Sequence, residues 1–143
     1  MLTQTEADTL ISMRKIFVNP TTVSIPPGTD QTHDLVGADK RERFLLDLWR
    51  GTLRLSKLKF QTRARKIILF VRLDIDGAPH TNPDGTKIGG SHIHVYREGF
   101  EDRWAYPLDR EEFGDTTNIM YAFEDFCRYC NIEEPPPLQD ELP

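Results

Sequence analysis

Lys66-Ile67-Ile68-Leu69-Phe70-Val71-Arg72-Leu73-Asp74-Ile75 and, beyond a connection at 76–90, His92-Ile93-His94-Val95-Tyr96-Arg97 are the two runs that decide the fold. Both are strand-sized and rich in β-branched and aromatic residues. Side chains along a strand alternate between faces. In the first run Ile67, Leu69, Val71, Leu73 and Ile75 point one way, and Ile68, Phe70, Arg72 and Asp74 the other. In the second, Ile93 and Val95 oppose His92, His94 and Tyr96. Paired as an antiparallel hairpin, the runs place Asp74 opposite His92, Arg72 opposite His94 and Phe70 opposite Tyr96. Each strand then has one apolar face for a core and one face that turns polar toward the connecting loop. Such a sheet takes helices on one side only.

Outward from this pair, residues 44–50 and 52–62 are further β-rich runs separated by short breaks, and 103–108 is another. Two shorter candidates, 22–25 and 31–36, flank the turn chemistry of Pro26-Pro27-Gly28. Consecutive antiparallel pairing is the economical topology for such spacing. Two helices frame it. Thr3 and Glu6 form a capping-box signature, and Leu10, Ile11, Met13, Ile16 and Phe17 continue as a helical stripe to the Asn19-Pro20 stop. Ile119, Ala122, Phe123, Phe126 and Cys130 recur at helical spacing from a start near Asp115 or Thr116 to Asn131. The fold class expected is α+β: an antiparallel meander of about five to seven strands packed by an N-terminal and a C-terminal helix. At 143 residues, 1–132 form a single domain, followed by an acidic, proline-rich tail at 133–143 that is expected to be extended or disordered.

No run approaches the roughly 18 apolar residues of a membrane span, and Met1 to Asp8 lacks the basic start and apolar segment of a secretory signal. The expectation is a cytoplasmic protein with no membrane partner. The only cysteines, Cys127 and Cys130, share one expected helix, which suits core packing better than a disulfide or a zinc ligand set.

The net charge of -5 hides a segregation. Between Lys40 and Arg72 stand eleven lysines and arginines against Glu42 and Asp47, a net +9, so the remaining 110 residues carry -14. Such asymmetry points to an anionic partner. Arg50, Arg54, Lys57, Lys59, Arg63, Arg65 and Lys66 come from neighbouring strands and their connections, so their charges can converge on a nucleic acid, RNA before DNA. Trp49 and Phe60 lie near them as stacking candidates, although core packing suits both.

The segments 72–85, 92–99 and 104–108, beginning Arg72-Leu73-Asp74-Ile75-Asp76-Gly77 and including His92-Ile93-His94-Val95-Tyr96, together resemble a family of uncharacterised small bacterial proteins. The resemblance runs from the first helix to Asn131 and implies a bacterial or phage origin. It carries no activity and no site assignment.

Three readings fit the polar face. In the first, a metal-independent ribonuclease of the small-toxin kind uses His94 or His92 as general base, Arg72 and Arg97 as phosphate ligands and Tyr96 as positioning group, with Asp74 and the loop residue His80 beside them. Strict alternation sends Arg97 to the opposite face. In the second, His92, His94, Asp74 and His80 ligate a metal, although His-x-His alone is a weak signal. In the third, Asp74 and His92 are a cross-strand pair with no further role. The basic stripe can likewise pair with the domain's own acids. A module that binds a protein partner, such as an antitoxin partner or an inhibitor of a nucleic-acid machine, is the alternative function class. No phosphate-loop, dinucleotide, serine-triad or kinase pattern is present, and no cofactor is implied. The loop 76–90 contains Gly77, Gly85, Gly89 and Gly90 and is long enough to act as a lid.

Overall fold

A computed structural model describes residues 1–139. In chain order the elements are α1 (Gln4–Ser12), β1 (Lys15–Phe17), β2 (Val23–Ser24), β3 (Asp30–Gly37), β4 (Arg43–Arg50), β5 (Leu58–Ala64), β6 (Ile68–Ile75), β7 (His80–Thr81), β8 (Lys87–Ile88), β9 (His92–Val95), β10 (Ala105–Pro107), α2 (Ile119–Tyr129) and β11 (Leu138–Gln139). Seven strands form one antiparallel sheet in the order β1-β3-β4-β5-β6-β9-β10. The expected α+β meander is therefore present. The pairing of β6 with β9 is the one that alternation selects, with Asp74 opposite His92 and Arg72 opposite His94.

One face of the sheet holds the core. Phe44, Leu46, Leu48, Phe60, Leu73 and Ile75 point into it and meet Leu2, Ala7 and Leu10 from the α1 end and Ala122, Phe123 and Phe126 from α2. Phe60 touches both Phe123 and Phe126 edge-on. The capping box of Thr3 and Glu6 starts α1, and the Asn118 side chain, accepting from the Met120 and Tyr121 amides, starts α2. Asp115 instead accepts from Thr117 N–H in a local turn, so the helix begins three or four residues later than its composition suggests.

Three other expectations need correction. First, α1 stops at Ser12, and 15–17 form an edge strand whose burial alternates, with Ile16 outside and Lys15 and Phe17 inside. The stripe of Leu10 to Phe17 therefore combines a helical period with a strand period. Second, 51–57 form the hairpin loop between β4 and β5, because Arg50 already pairs with Leu58. Third, the β5–β6 register slips between Thr62 and Arg63, leaving Phe70 out of the ladder. This bulge turns Phe70 into the core against Phe44, at 5.7 Å between ring centroids, rather than onto the polar face. His33 lies on β3, inside the expected strand 31–36, with its ring 5.6 Å from that of Phe17.

Lys15 is fully buried, and its ammonium donates to the carbonyls of Ile11, Met13 and Cys130 at 2.7 to 3.0 Å. It also stands over the rings of Phe44 and Phe70. A single cation thus satisfies carbonyls at the C-terminal ends of both helices. Burial pulls its pKa down to about 8. β1 is held on its other side by Lys15 N–H to Asn131 and Glu133 N–H to Lys15. Both cysteines are buried free thiols, and burial pushes Cys130 up to about 12.

The tail segment from Glu133 returns along the domain. Arg14 binds the Glu133 carboxylate through two nitrogens, and β11 pairs in parallel with β2. The rest of the acidic tail, 140–143, lies outside the described residues. Among the described residues, no helix is long and apolar enough to cross a membrane.

Lys15→Met keeps the apolar length of the side chain and strips three buried carbonyls of their donor. We expect it to lower unfolding free energy by about 3 kcal/mol, read from urea denaturation of the variant beside the parent. A loss below about 0.5 kcal/mol would show that water reaches those carbonyls.

Candidate functional site

The other sheet face has no helix over it. Reading the pairings across the strands gives two neighbouring rows: Asp30, Trp49, Lys59, Asp74, His92 and Pro107, then Thr32, Asp47, Gln61, Arg72, His94 and Ala105. Period-two alternation puts all of these side chains on the face opposite Phe60 and Leu73.

At the centre of the right-hand half lies the Asp74 carboxylate, 7% exposed. Arg72 donates to it through Nε and Nη2 at 3.1 and 3.3 Å. His92 Nε2 lies 3.0 Å and His94 Nε2 3.3 Å from the same oxygen, Oδ2. The opposite nitrogens are anchored to the main chain, with His92 Nδ1–H donating to Gly89 at 2.5 Å and His94 Nδ1–H to Asp102 at 2.8 Å. Arg72 Nη2 also meets His94 Nε2 at 3.0 Å. Both ring nitrogens of His92 thus face pure acceptors, which is the pattern of an imidazolium. His94 has a carbonyl on one side and a guanidinium donor on the other, which suits the neutral tautomer protonated at Nδ1.

The electrostatics follow from this geometry. Burial alone would push Asp74 up, but the hydrogen bond from His92 and the Arg72 charge hold it well below the usual carboxylate range. Burial alone would push His92 down, and its bonds to Asp74 and the Gly89 carbonyl outweigh that and raise it.

The loop 76–90 is folded over this cluster. Gly77 N–H donates to Gly90 at its base, where a Cβ on Gly90 would run into the Gly77 carbonyl. Above that pinch, β7 and β8 form a small hairpin with Asn82 and Gly85 closing the turn. The buried Asn82 side chain donates to the Ala105 carbonyl and accepts from its amide, pairing with β10 as a strand backbone would. The hairpin brings His80 to the cluster: its ring centroid is 4.7 Å from that of His94 and 5.8 Å from that of His92, and its Nε2–H donates to the Arg103 carbonyl.

Arg72, Asp74, His80, His92 and His94 are therefore brought together. Tyr96 is not. β9 ends at Val95, and the Tyr96 hydroxyl is buried in a two-way bond with the main chain of Leu2, tying down the N-terminus. Arg97 also stands apart, with its guanidinium stacked 4.0 Å from the Trp104 ring centroid beside Phe100.

The basic stripe divides. Arg63 chelates Asp47, Arg54 chelates Asp76, Arg65 meets Glu42, and Arg50 donates to the carbonyls of Ile25 and Leu55. Lys57, Lys59 and Lys66 have no carboxylate within salt-bridge distance among the described residues. Lys57 and Lys59 hold their ammoniums 5.7 and 5.4 Å from the ring centroid of Trp49. Phe60 is core, as its composition suggests, but Trp49 is half-buried on the open face, where it helps line a groove of about 510 Å³ with Arg54, Lys57 and Pro79. Alternation from the buried Leu48 is the signal that assigns Trp49 to this side, and it assigns Asp47 to the opposite face from Leu48 as well.

The model of a family of unknown function, DUF6978, matches residues 2–132, and the chain belongs to that family. No curated protein and no solved structure matches it.

The signs of the two shifts set a pH window. The raised pKa of His92 gives stability that is fully present below its unfolded value of about 6.5 and lost as pH rises through the folded value. The lowered pKa of Asp74 gives stability present above about 3.9 and lost as pH falls through the folded value. Urea midpoints of the parent and His92→Gln should therefore differ most near pH 5.5 and draw together toward pH 8.5. A constant gap would mean that folding does not raise the pKa of His92.

Proposed function

We propose that this chain, from a family with no assigned activity, binds single-stranded nucleic acid, RNA in the first place, on the open sheet face around Trp49. The observation that carries the reading is the indole on a solvated sheet surface, with two lysine ammoniums over its ring that face no carboxylate among the described residues, and a groove along one edge. Aromatic side chains on antiparallel sheets take unstacked bases, and every base has a face to stack. Lys57 and Lys59 supply the phosphate charge, and Arg54 joins them by releasing Asp76.

Binding without cleavage fits the same geometry. The side chains of His92 and His94 are 2% exposed, and all four of their ring nitrogens are engaged. A general base has to reach the proton it removes, and a 2'-hydroxyl of a bound strand does not reach a buried nitrogen beneath the β7–β8 hairpin. Tyr96 and Arg97 are committed elsewhere. The histidine cluster therefore shapes and fixes the surface, and Trp49 with its lysines receives the strand.

The test is titration of a labelled single-stranded RNA and a DNA duplex of equal length across a salt series. We expect the single strand to be preferred, with intact product on a gel and a log-log salt slope of about -2, the value for three phosphates released at about 0.7 each. Trp49→Ala should weaken binding by about tenfold or more, since stacking on one aromatic is worth about 1–3 kcal/mol. Failure to bind at low salt, or equal binding by Trp49→Ala, would overturn the reading and point toward a protein partner. Cleavage that disappears in His94→Gln would restore the ribonuclease reading.

A further inference from the structure

We propose that Asp74, His92 and His94 form a binding site for a divalent transition metal of the zinc and cobalt kind, guarded by Arg72. This goes beyond the nucleic-acid surface and rests on a different set of side chains. One ligand atom from each of the three residues lies within 4.8 Å of the other two. The two histidine nitrogens stand 3.0 and 3.3 Å from the same Asp74 oxygen. Bonds of about 2.0 to 2.1 Å at a tetrahedral angle put neighbouring ligands about 3.3 Å apart, so both nitrogen–oxygen edges already have the span of a zinc site. The remaining nitrogen–nitrogen edge closes by a small rotation of either ring.

The surroundings fit as well. Metal-bound histidines characteristically spend their second N–H on a carbonyl or carboxylate, which fixes the tautomer and aims the lone pair. His92 and His94 do so through Nδ1–H to Gly89 and Asp102, and His80 does so through Nε2–H to Arg103. A water then takes the fourth position. Two imidazoles and one carboxylate suit zinc, cobalt or nickel better than magnesium or calcium, which prefer oxygen.

Arg72 is the obstacle and the regulator. Its Nη2 contacts both His94 Nε2 and Asp74, so the guanidinium lies where the metal's bonds would form. Its side chain is 26% exposed while those of the two histidines are 2% exposed, so Arg72 lies between the ligands and solvent and can swing outward. On binding, the Nε2 proton of His92 is released to solvent as the nitrogen–metal bond forms. The Nδ1–H bonds stay, and water takes over the hydrogen bonds that Arg72 gives up.

The experiment is titration of chelator-treated full-length protein with Co(II), followed by visible absorption and checked by Zn(II) competition. We expect one equivalent to bind with the d–d bands of a four-coordinate nitrogen and oxygen site, and Zn(II) to shift the ring signals of His92 and His94 while leaving those of His33 unmoved. His94→Gln should lose the bands, and Arg72→Gln, which removes the competing cation, should bind at least tenfold tighter. The ring signals of the parent protein test the site even where a variant folds poorly. No stoichiometric binding by the parent, bands that survive in His94→Gln, a sulfur-to-cobalt charge-transfer band from the cysteines, or an Arg72→Gln affinity no higher than the parent's would each overturn the proposal.

Discussion

A carboxylate taken out of water inside a sheet must be surrounded by donors, and Asp74 imposes that requirement on everything near it. Removing an ionised carboxylate from solvent without partners costs several kcal/mol or more. Here the donors come from its own strand through Arg72 and from the neighbouring strand through His92, while the His94 ring lies 3.3 Å away and is itself held by Arg72. Those histidines are in turn oriented by carbonyls of two separate connections, one before β9 and one after it. The chain paths of 76–91 and 96–104 are thus fixed by hydrogen bonds that converge on one oxygen. A slip of β9 by one residue against β6 would turn His92 and His94 to the apolar face and away from Asp74.

The other face is organised around a charge of the opposite sign. Lys15 gathers carbonyls from the ends of both helices, so the layer that covers the sheet is closed by a cation as the open face is fixed by an anion. The two differ in what they leave free. Lys15 lies between helices and the rings of Phe44 and Phe70, with no path to solvent. Asp74 lies one strand away from Lys59 and two from Trp49, on a face that no helix covers. The helices thus cover one sheet face, and the proposed ligand surface lies on the other, with Trp49.

Alternation alone made the Asp74–His92 and Arg72–His94 pairs legible, because a half-buried antiparallel pair with one apolar face admits only one phase. It could not reveal Phe70, because a bulge breaks the period without leaving a mark in composition. The same limit hid Tyr96: strand periodicity holds only while the strand lasts, and this one ends at Val95. Lys15 was unreadable for another reason. A lysine next to Ile16 and Phe17 looks like the polar position of an amphipathic helix, and only tertiary packing gives it carbonyls to bind. His80 was visible as a loop residue, but its approach to the cluster depends on Asn82 imitating a strand backbone against Ala105.

The basic stripe shows how a charge count and a charged surface diverge. Eleven cations crowd residues 40–72, yet Arg54, Arg63, Arg65 and Arg72 each face an acid that the fold brings to them, Arg54 and Arg72 from beside or within β6 and Arg63 and Arg65 from across the sheet. Arginine's planar fork favours such bidentate pairing with a carboxylate, whereas lysine is a hydrated point charge that is easily left free. Lys40, Arg41, Arg43, Lys57, Lys59 and Lys66 accordingly remain for an outside anion among the described residues, and Lys57 and Lys59 converge on one indole. An anionic ligand gains little from the neutralised arginines at the centre of the face. Unpaired cations coincide with an aromatic plane at the β4–β5 end of the sheet, which is why the proposed contact surface is placed there.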